Sequence, residues 1–190
     1  SGSDNLWVSN VDGSQATQIT EETLTALTAP SWGPDSQYAV AVKHESKADK
    51  LMSSQIWLFH LGGGAGRLLL DAPASSQPVH EPQLSPDSRY LYYTERSSPW
   101  SAVANALQPN FSIKRRQLSD GATDEIVRGF GSATSVQISP DGKRLAFIRR
   151  LKDKTALFAY NIDTGEQRPV YDQLDQDLQK AWSPRSGGYF

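Results

Sequence analysis

A short motif recurs three times at nearly constant interval: Trp32-Gly33-Pro34-Asp35, Leu84-Ser85-Pro86-Asp87 and Ile138-Ser139-Pro140-Asp141, with 52 and then 54 residues from proline to proline. Each copy follows the same local order: a hydrophobic residue, Ser or Gly, Pro-Asp, a small residue, a polar residue, then a burst of apolar side chains. The bursts are Gln37–Val42, Arg89–Tyr93 and Arg144–Ile148. Self-similarity at this period marks a repeat architecture in which each unit buries its faces only against its neighbours.

The third copy shows the unit most clearly. Ser139-Pro140-Asp141-Gly142 is a turn: proline presets φ and glycine accepts a positive φ. It joins a strand near Ser135–Ile138 to one at Arg144–Arg149, followed by Ala156–Ile162, the turn Asp163-Thr164-Gly165 and Gln167–Tyr171. Four antiparallel strands joined by tight turns describe one blade of a β-propeller. The predicted fold is therefore all-β: blades at 27–70, 79–128 and 133–171, a half blade at 1–20, and a crossover toward a further blade at 172–190. Trp182-Ser183-Pro184-Arg185 comes only 44 residues after the third copy, lacks the aspartate, and is read as a chance match. About three and a half blades do not close a ring, since closed propellers use roughly four to eight. The regular period places the next copy just past Phe190, so the chain reads as part of a larger propeller. Its open blade edges predict self-association.

The blade pattern sorts the connections onto two faces. The Ser-Pro-Asp turns and the links Gly62–Gly66, Asp120-Gly121 and Asp163–Gly165 are short and stereotyped. The links on the other face are long and varied, among them His44–Ser54, Arg96–Asn110 and Asp172–Ala181. Binding residues concentrate on such variable loops. The candidate interaction face is accordingly His44, Glu45, His80, Glu81, Arg96, Trp100, Asp172 and Asp175. The histidine-glutamate pairs read as polar rim residues. Trp100 sits in the longest insertion, which either packs on the blade rim or offers an aromatic contact to a ligand or neighbouring domain.

No catalytic set is expected. There is no cysteine, and the three histidines, His44, His60 and His80, form no His-x-His or His-Glu-x-x-His pair. No Gly-x-Ser-x-Gly elbow is present. Asp163-Thr164-Gly165 matches an aspartic-protease triplet but occupies a hairpin turn. Gly62–Gly66 lacks the following lysine and helix that a phosphate loop needs. Asp172, Asp175 and Asp177 lack the glycine and distal glutamate of a calcium loop. No cofactor or metal is predicted. A net charge of −2 gives no case for nucleic acid, the basic runs at 114–116 and 143–154 reading as strand surfaces. No run approaches the roughly 18 apolar residues of a membrane span.

Ile138–Phe147 closely resembles the repeat of TolB-type, WD-like β-propellers, which occur in periplasmic TolB, in prolyl oligopeptidase and dipeptidyl peptidase relatives, and in large bacterial amidohydrolases. A narrower resemblance, over Pro82–Trp182 and especially Leu157–Trp182, is to the N-terminal propeller of secreted or periplasmic amidohydrolase fusions. It implies an accessory segment of a larger hydrolase in the periplasm or outside the cell. Its partners would be a catalytic domain, the remaining blades or other envelope proteins. That family's metal-ligand motifs are missing here, so no catalytic residue is carried over.

Overall fold

A computed structural model of the chain describes residues 4–23, 25–45, 53–72, 78–96, 110–128, 132–151 and 154–174. All regular structure among them is β. Strands β1 (Trp7–Val8) and β2 (Thr17–Gln18) form a short hairpin. The first full sheet is β3 (Thr25–Trp32), β4 (Tyr38–Glu45), β5 (Ser53–His60) and β6 (Arg67–Ala72). The second is β7 (Val79–Leu84), β8 (Tyr90–Arg96), β9 (Phe111–Gln117) and β10 (Thr123–Val127). The third is β11 (Thr134–Ile138), β12 (Arg144–Leu151), β13 (Lys154–Asn161) and β14 (Gln167–Leu174). Each full sheet is an antiparallel meander in chain order, and β7 lies beside both β3 and β11. The first strands of the blades thus line one inner edge. The ring is open, as the pattern predicts.

The repeated motif closes the link between first and second strands by one hydrogen-bond scheme. The N–H of Gly33, Ser85 and Ser139 donates to the carbonyl of Tyr38, Tyr90 and Arg144 at 2.7, 2.9 and 2.9 Å. In each copy the aspartate Oδ1 accepts the N–H two residues on, from Gln37, Arg89 or Lys143, at 3.0 Å. The small residue of the motif explains itself: Ser36, Ser88 and Gly142 have φ of 57°, 57° and 70°, a region that bulky side chains avoid. In the second copy hydrogen bonds from the Ser85 hydroxyl, then from the backbone and side chain of Arg89, hold the Asp87 carboxyl down to about 2.

Central strands are apolar on both faces because a blade is covered on both sides. Val40 and Val42 turn toward the second blade and pack with Ile56, Val79, Leu84, Leu91 and Tyr93. Ala41, between them, turns the other way and packs with Phe59, Leu27 and the hairpin residues Leu6 and Ile19. On the far side of the second blade, Tyr92, Ile113 and Val127 meet Val136, Leu145 and Phe147 of the third. Polar ties cross the same seams. Ser54 Oγ accepts the N–H of Val79 at 3.0 Å in a buried position, and the Phe111 carbonyl accepts that of Ala133 at 2.8 Å. The Lys43–Glu22 ion pair, 2.7 Å, fastens the segment after the hairpin to the first blade.

Two strands run longer than the repeat suggests. β12 and β13 stay paired out to Leu151 and Lys154, and this extra length gives β14 a partner as far as Leu174, opposite Thr155. Asp172 therefore belongs to a strand.

Leu91 is fully buried between the first two blades. Leu91→Ala should lower the unfolding free energy by about 2–5 kcal/mol in urea titration. Val11→Ser, at a fully exposed turn position, should stay within about 0.5 kcal/mol of the parent chain.

Candidate functional site: a polar junction on the inner strands

A backbone irregularity shared by the three first strands builds this site. Ala29, Glu81 and Ser135 all carry a left-handed φ, of 49°, 53° and 56°. At each, the register with the second strand slips: between Thr28 and Ser31, His80 and Gln83, and Thr134 and Gln137. One extra residue on the inner strand makes a β-bulge, a device that re-aims neighbouring side chains. A left-handed φ is costly for residues with a Cβ, about 1–3 kcal/mol each, and is retained where the surroundings enforce it. Here the enforcing contact is visible in the second and third copies: the Glu81 carboxylate accepts the N–H of Ser135 at 2.6 Å, bulge to bulge.

The bulge of the second blade brings His80 toward His44 of the first. Their ring centroids lie 6.3 Å apart. His44 Nε2 is 3.0 Å from Thr28 Oγ1. The His80 ring meets Phe111 edge-on, with centroids 5.7 Å apart. Arg96 ends β8 opposite Phe111, and its backbone N–H donates to the Pro78 carbonyl at 3.2 Å. Both histidines are half-buried. Burial pushes each below the ordinary value of 6.5, and for His80 the positive charges of His44 and Arg96 push further the same way. Burial pushes the Glu81 carboxyl up, against hydrogen bonds from Ser135 and Thr94 that favour its charge.

Of the residues singled out in the sequence, the structure brings His44, His80 and Arg96 together, with Glu81 beside them and turned to the third blade. Glu45 lies on β4 opposite Thr25 and Ser53. Asp172 lies on β14, the outer strand of the third sheet. Trp100, Asp175 and the Trp182–Pro184 segment lie outside the described residues. The sequence reading missed Thr28, Thr94, Phe111 and Ser135. A signal for the bulges was present in Ala29-Pro30 and Glu81-Pro82, since proline inside a strand is at home at a bulge. The third copy has Ser135-Val136 and hides it.

At the opposite end, the stereotyped turns border two clefts between blades. One, of about 620 Å³, is lined by Asp35, Arg67, Ser88, Arg116 and Asp120 among others. The other, of about 440 Å³, runs past Asp87, Tyr90, Arg115, Asp141 and Asp163. Their charges are largely engaged locally: Arg115 with Asp124 at 2.9 Å, Arg116 with the Gly121 carbonyl at 2.6 Å, Arg89 with Asp87 at 2.6 Å. His60 sits at this end, its Nδ1 accepting the N–H of Gly62 at 2.9 Å. The Asp163-Thr164-Gly165 triplet is a turn whose N–H groups are held by Asn161. Among the described residues, no three histidine, aspartate or glutamate side chains gather as a metal-ligand group.

No protein-family model matches the sequence, and no curated protein matches it. Solved structures do. A protein assigned as TolB in Agrobacterium tumefaciens is 15% identical over 88% of this chain and 56% of its own, with a TM-score of 0.63. The propeller domain of the Trilobed protease from Pyrococcus furiosus is 18% identical over 77% of this chain and 43% of its own, with a TM-score of 0.52. A prolyl endopeptidase is 12% identical over 84% of this chain and 25% of its own, with a TM-score of 0.59. The chain thus spans about half the length of the propellers it matches. At these identities the likeness is one of fold: the chain is built as a β-propeller of the kind found in TolB and in peptidase propeller domains.

The lowered histidines carry a signed pH dependence. Folding favours their neutral rings, so their contribution is present above the ordinary 6.5 and is lost as pH falls through the lowered values. Urea midpoints of the parent chain should fall between about pH 7.5 and about pH 5, and His80→Gln should flatten part of that fall. Glu81 has the opposite sign: its raised carboxyl favours folding below the ordinary 4.5, and that term fades as pH rises through the raised value.

Proposed function

We propose that this chain is the non-catalytic propeller segment of a larger, periplasmic or secreted hydrolase, and that it docks on or gates a catalytic domain through the face carrying His44, His80 and Arg96. The observation that carries the reading is the contrast between the two ends of the blades. One end repeats a single turn with its charges locally engaged. The other gathers two histidines, an arginine and an aromatic ring from two blades into one polar junction. In this reading the chain supplies binding and geometry, and the bond-breaking groups belong to the catalytic domain. The hydrolase context draws support from the prolyl endopeptidase neighbour, of which this chain covers a quarter. The amidohydrolase type rests on the resemblance of Leu157–Trp182.

A second reading is a TolB-like interaction module that binds other envelope proteins through the same face; the Agrobacterium neighbour favours it. Both readings use one surface, and they part on whether a catalytic domain shares the polypeptide.

The isolated chain should turn over no amide, ester or peptide substrate. In the hydrolase containing it, Arg96→Glu should change KM several-fold with kcat nearly unchanged, while Arg89→Glu at the turn end should change neither. Turnover by the isolated chain, or equal effects of the two substitutions, contradicts the proposal. The outer blades leave Trp7, Val170 and Tyr171 at least half exposed, so the chain alone should sediment as a dimer or larger species; a monodisperse monomer would count against open edges that associate.

A further inference from the structure

The junction between the first two blades has the composition of an anion receptor. Two imidazoles from different blades approach to 6.3 Å between centroids. An oxygen atom lying beside the pair would accept a hydrogen bond from each ring at about 2.8 Å, the length of a charge-assisted bond. Arg96 acts on His80 as a positive neighbour. The Phe111 ring, edge-on to His80, walls one side with hydrocarbon and strengthens electrostatics there.

Among the described residues, the charged groups of Glu81, Glu95 and Lys43 on the neighbouring strands are engaged. Glu81, on the same strand as His80, is committed to the third blade through the Ser135 N–H and is also held by the Thr94 hydroxyl of β8. Glu95 on β8 is paired with Lys114 of β9 at 2.6 Å. Lys43 on β4 is paired with Glu22. On β3 the group facing His44 is the Thr28 hydroxyl, and the residue opposite it on β5 is Ser54.

We propose that His44 and His80 together form a binding site for an oxyanion group, a carboxylate or a phosphate, held across the junction of the first and second blades with Arg96 supplying permanent positive charge. Bound oxyanion stabilises the imidazolium form of both rings, so binding takes up protons from solvent. The site is therefore acid-strengthened: affinity rises as pH falls, because the neutral rings favoured by burial must charge to donate both of their N–H groups. A partner presenting an acidic side chain, a free C-terminus or a phosphorylated group would be recognised by this chemistry. The site rests on the reading of this face as the binding face. It does not require the hydrolase context, since its readout is binding and not turnover.

The test is ¹H–¹³C NMR of the three histidines in the 190-residue chain, titrated in acetate, in inorganic phosphate and in chloride at matched ionic strength. His60, at the other end of the blades, is the internal control. Acetate, phosphate or both should raise the apparent pKa of His44 and His80 together. Between the anion-free and the higher anion-bound histidine midpoints, affinity should strengthen by up to about tenfold per unit fall in pH for each proton taken up, and level off below the anion-free midpoint. Whichever anion acts more strongly identifies the group. In Arg96→Gln the affinity should fall several-fold while the histidine spectra still report a folded chain. In His80→Gln the response of His44 should collapse. Titration of His44 and His80 that is the same in all three salts would overturn the proposal.

Discussion

Neighbouring residues of a strand point to opposite faces, and in this chain both faces must be covered. Ala41 and Val42 are adjacent and both fully buried, one against the hairpin side and one against the second blade. Leu91 and Tyr92 repeat the arrangement on either side of the second blade. A sheet of this kind gains little by folding alone. Its hydrophobic stabilisation, about 25 cal/mol per Å² of apolar area, appears only when a second sheet lies against it. Order in each blade therefore depends on its neighbours, and the polar ties at Ser54 and Ala133 fix how the next blade enters.

That dependence explains where chemistry can sit. Faces are consumed by packing, and the repeated turns are consumed by their own hydrogen bonds. What remains free to vary is the inner edge beyond the bulges, where the backbone departs from the ladder and side chains from adjacent blades converge. The His44–His80 junction is the product: two residues distant in sequence, supplied by different blades, joined because a left-handed residue at 81 redirects the first strand of the second blade. The bulge-to-bulge bond from Ser135 to Glu81 then couples the third blade to the same edge.

The blade pattern was legible because turn chemistry and apolar alternation are local. Pro86-Asp87-Ser88 and the burst after it specify a turn and a two-sided strand with no knowledge of the rest of the chain, and β7 and β8 begin where that grammar places them. Strand length was less legible: β14 extends to Leu174 because β13 is long enough to pair with it, a property of the partner and not of Gln167–Leu174 itself. The candidate site was half legible. His44, His80 and Arg96 stood out as polar residues on the variable face, but nothing local indicates that two of them meet across a blade seam or that burial pushes both rings below the ordinary histidine value. Phe111 opens β9, and nothing in its local sequence marks its contact with His80.

The central claim is that order here is a property of blade seams. Native-state hydrogen exchange tests it strand by strand. The amides of β8, in the blade enclosed by two others, should be the slowest to exchange, those of β12 intermediate, and those of the β1–β2 hairpin the fastest. Protection of β1–β2 equal to that of β8, or a third blade that outlasts the second, would contradict it.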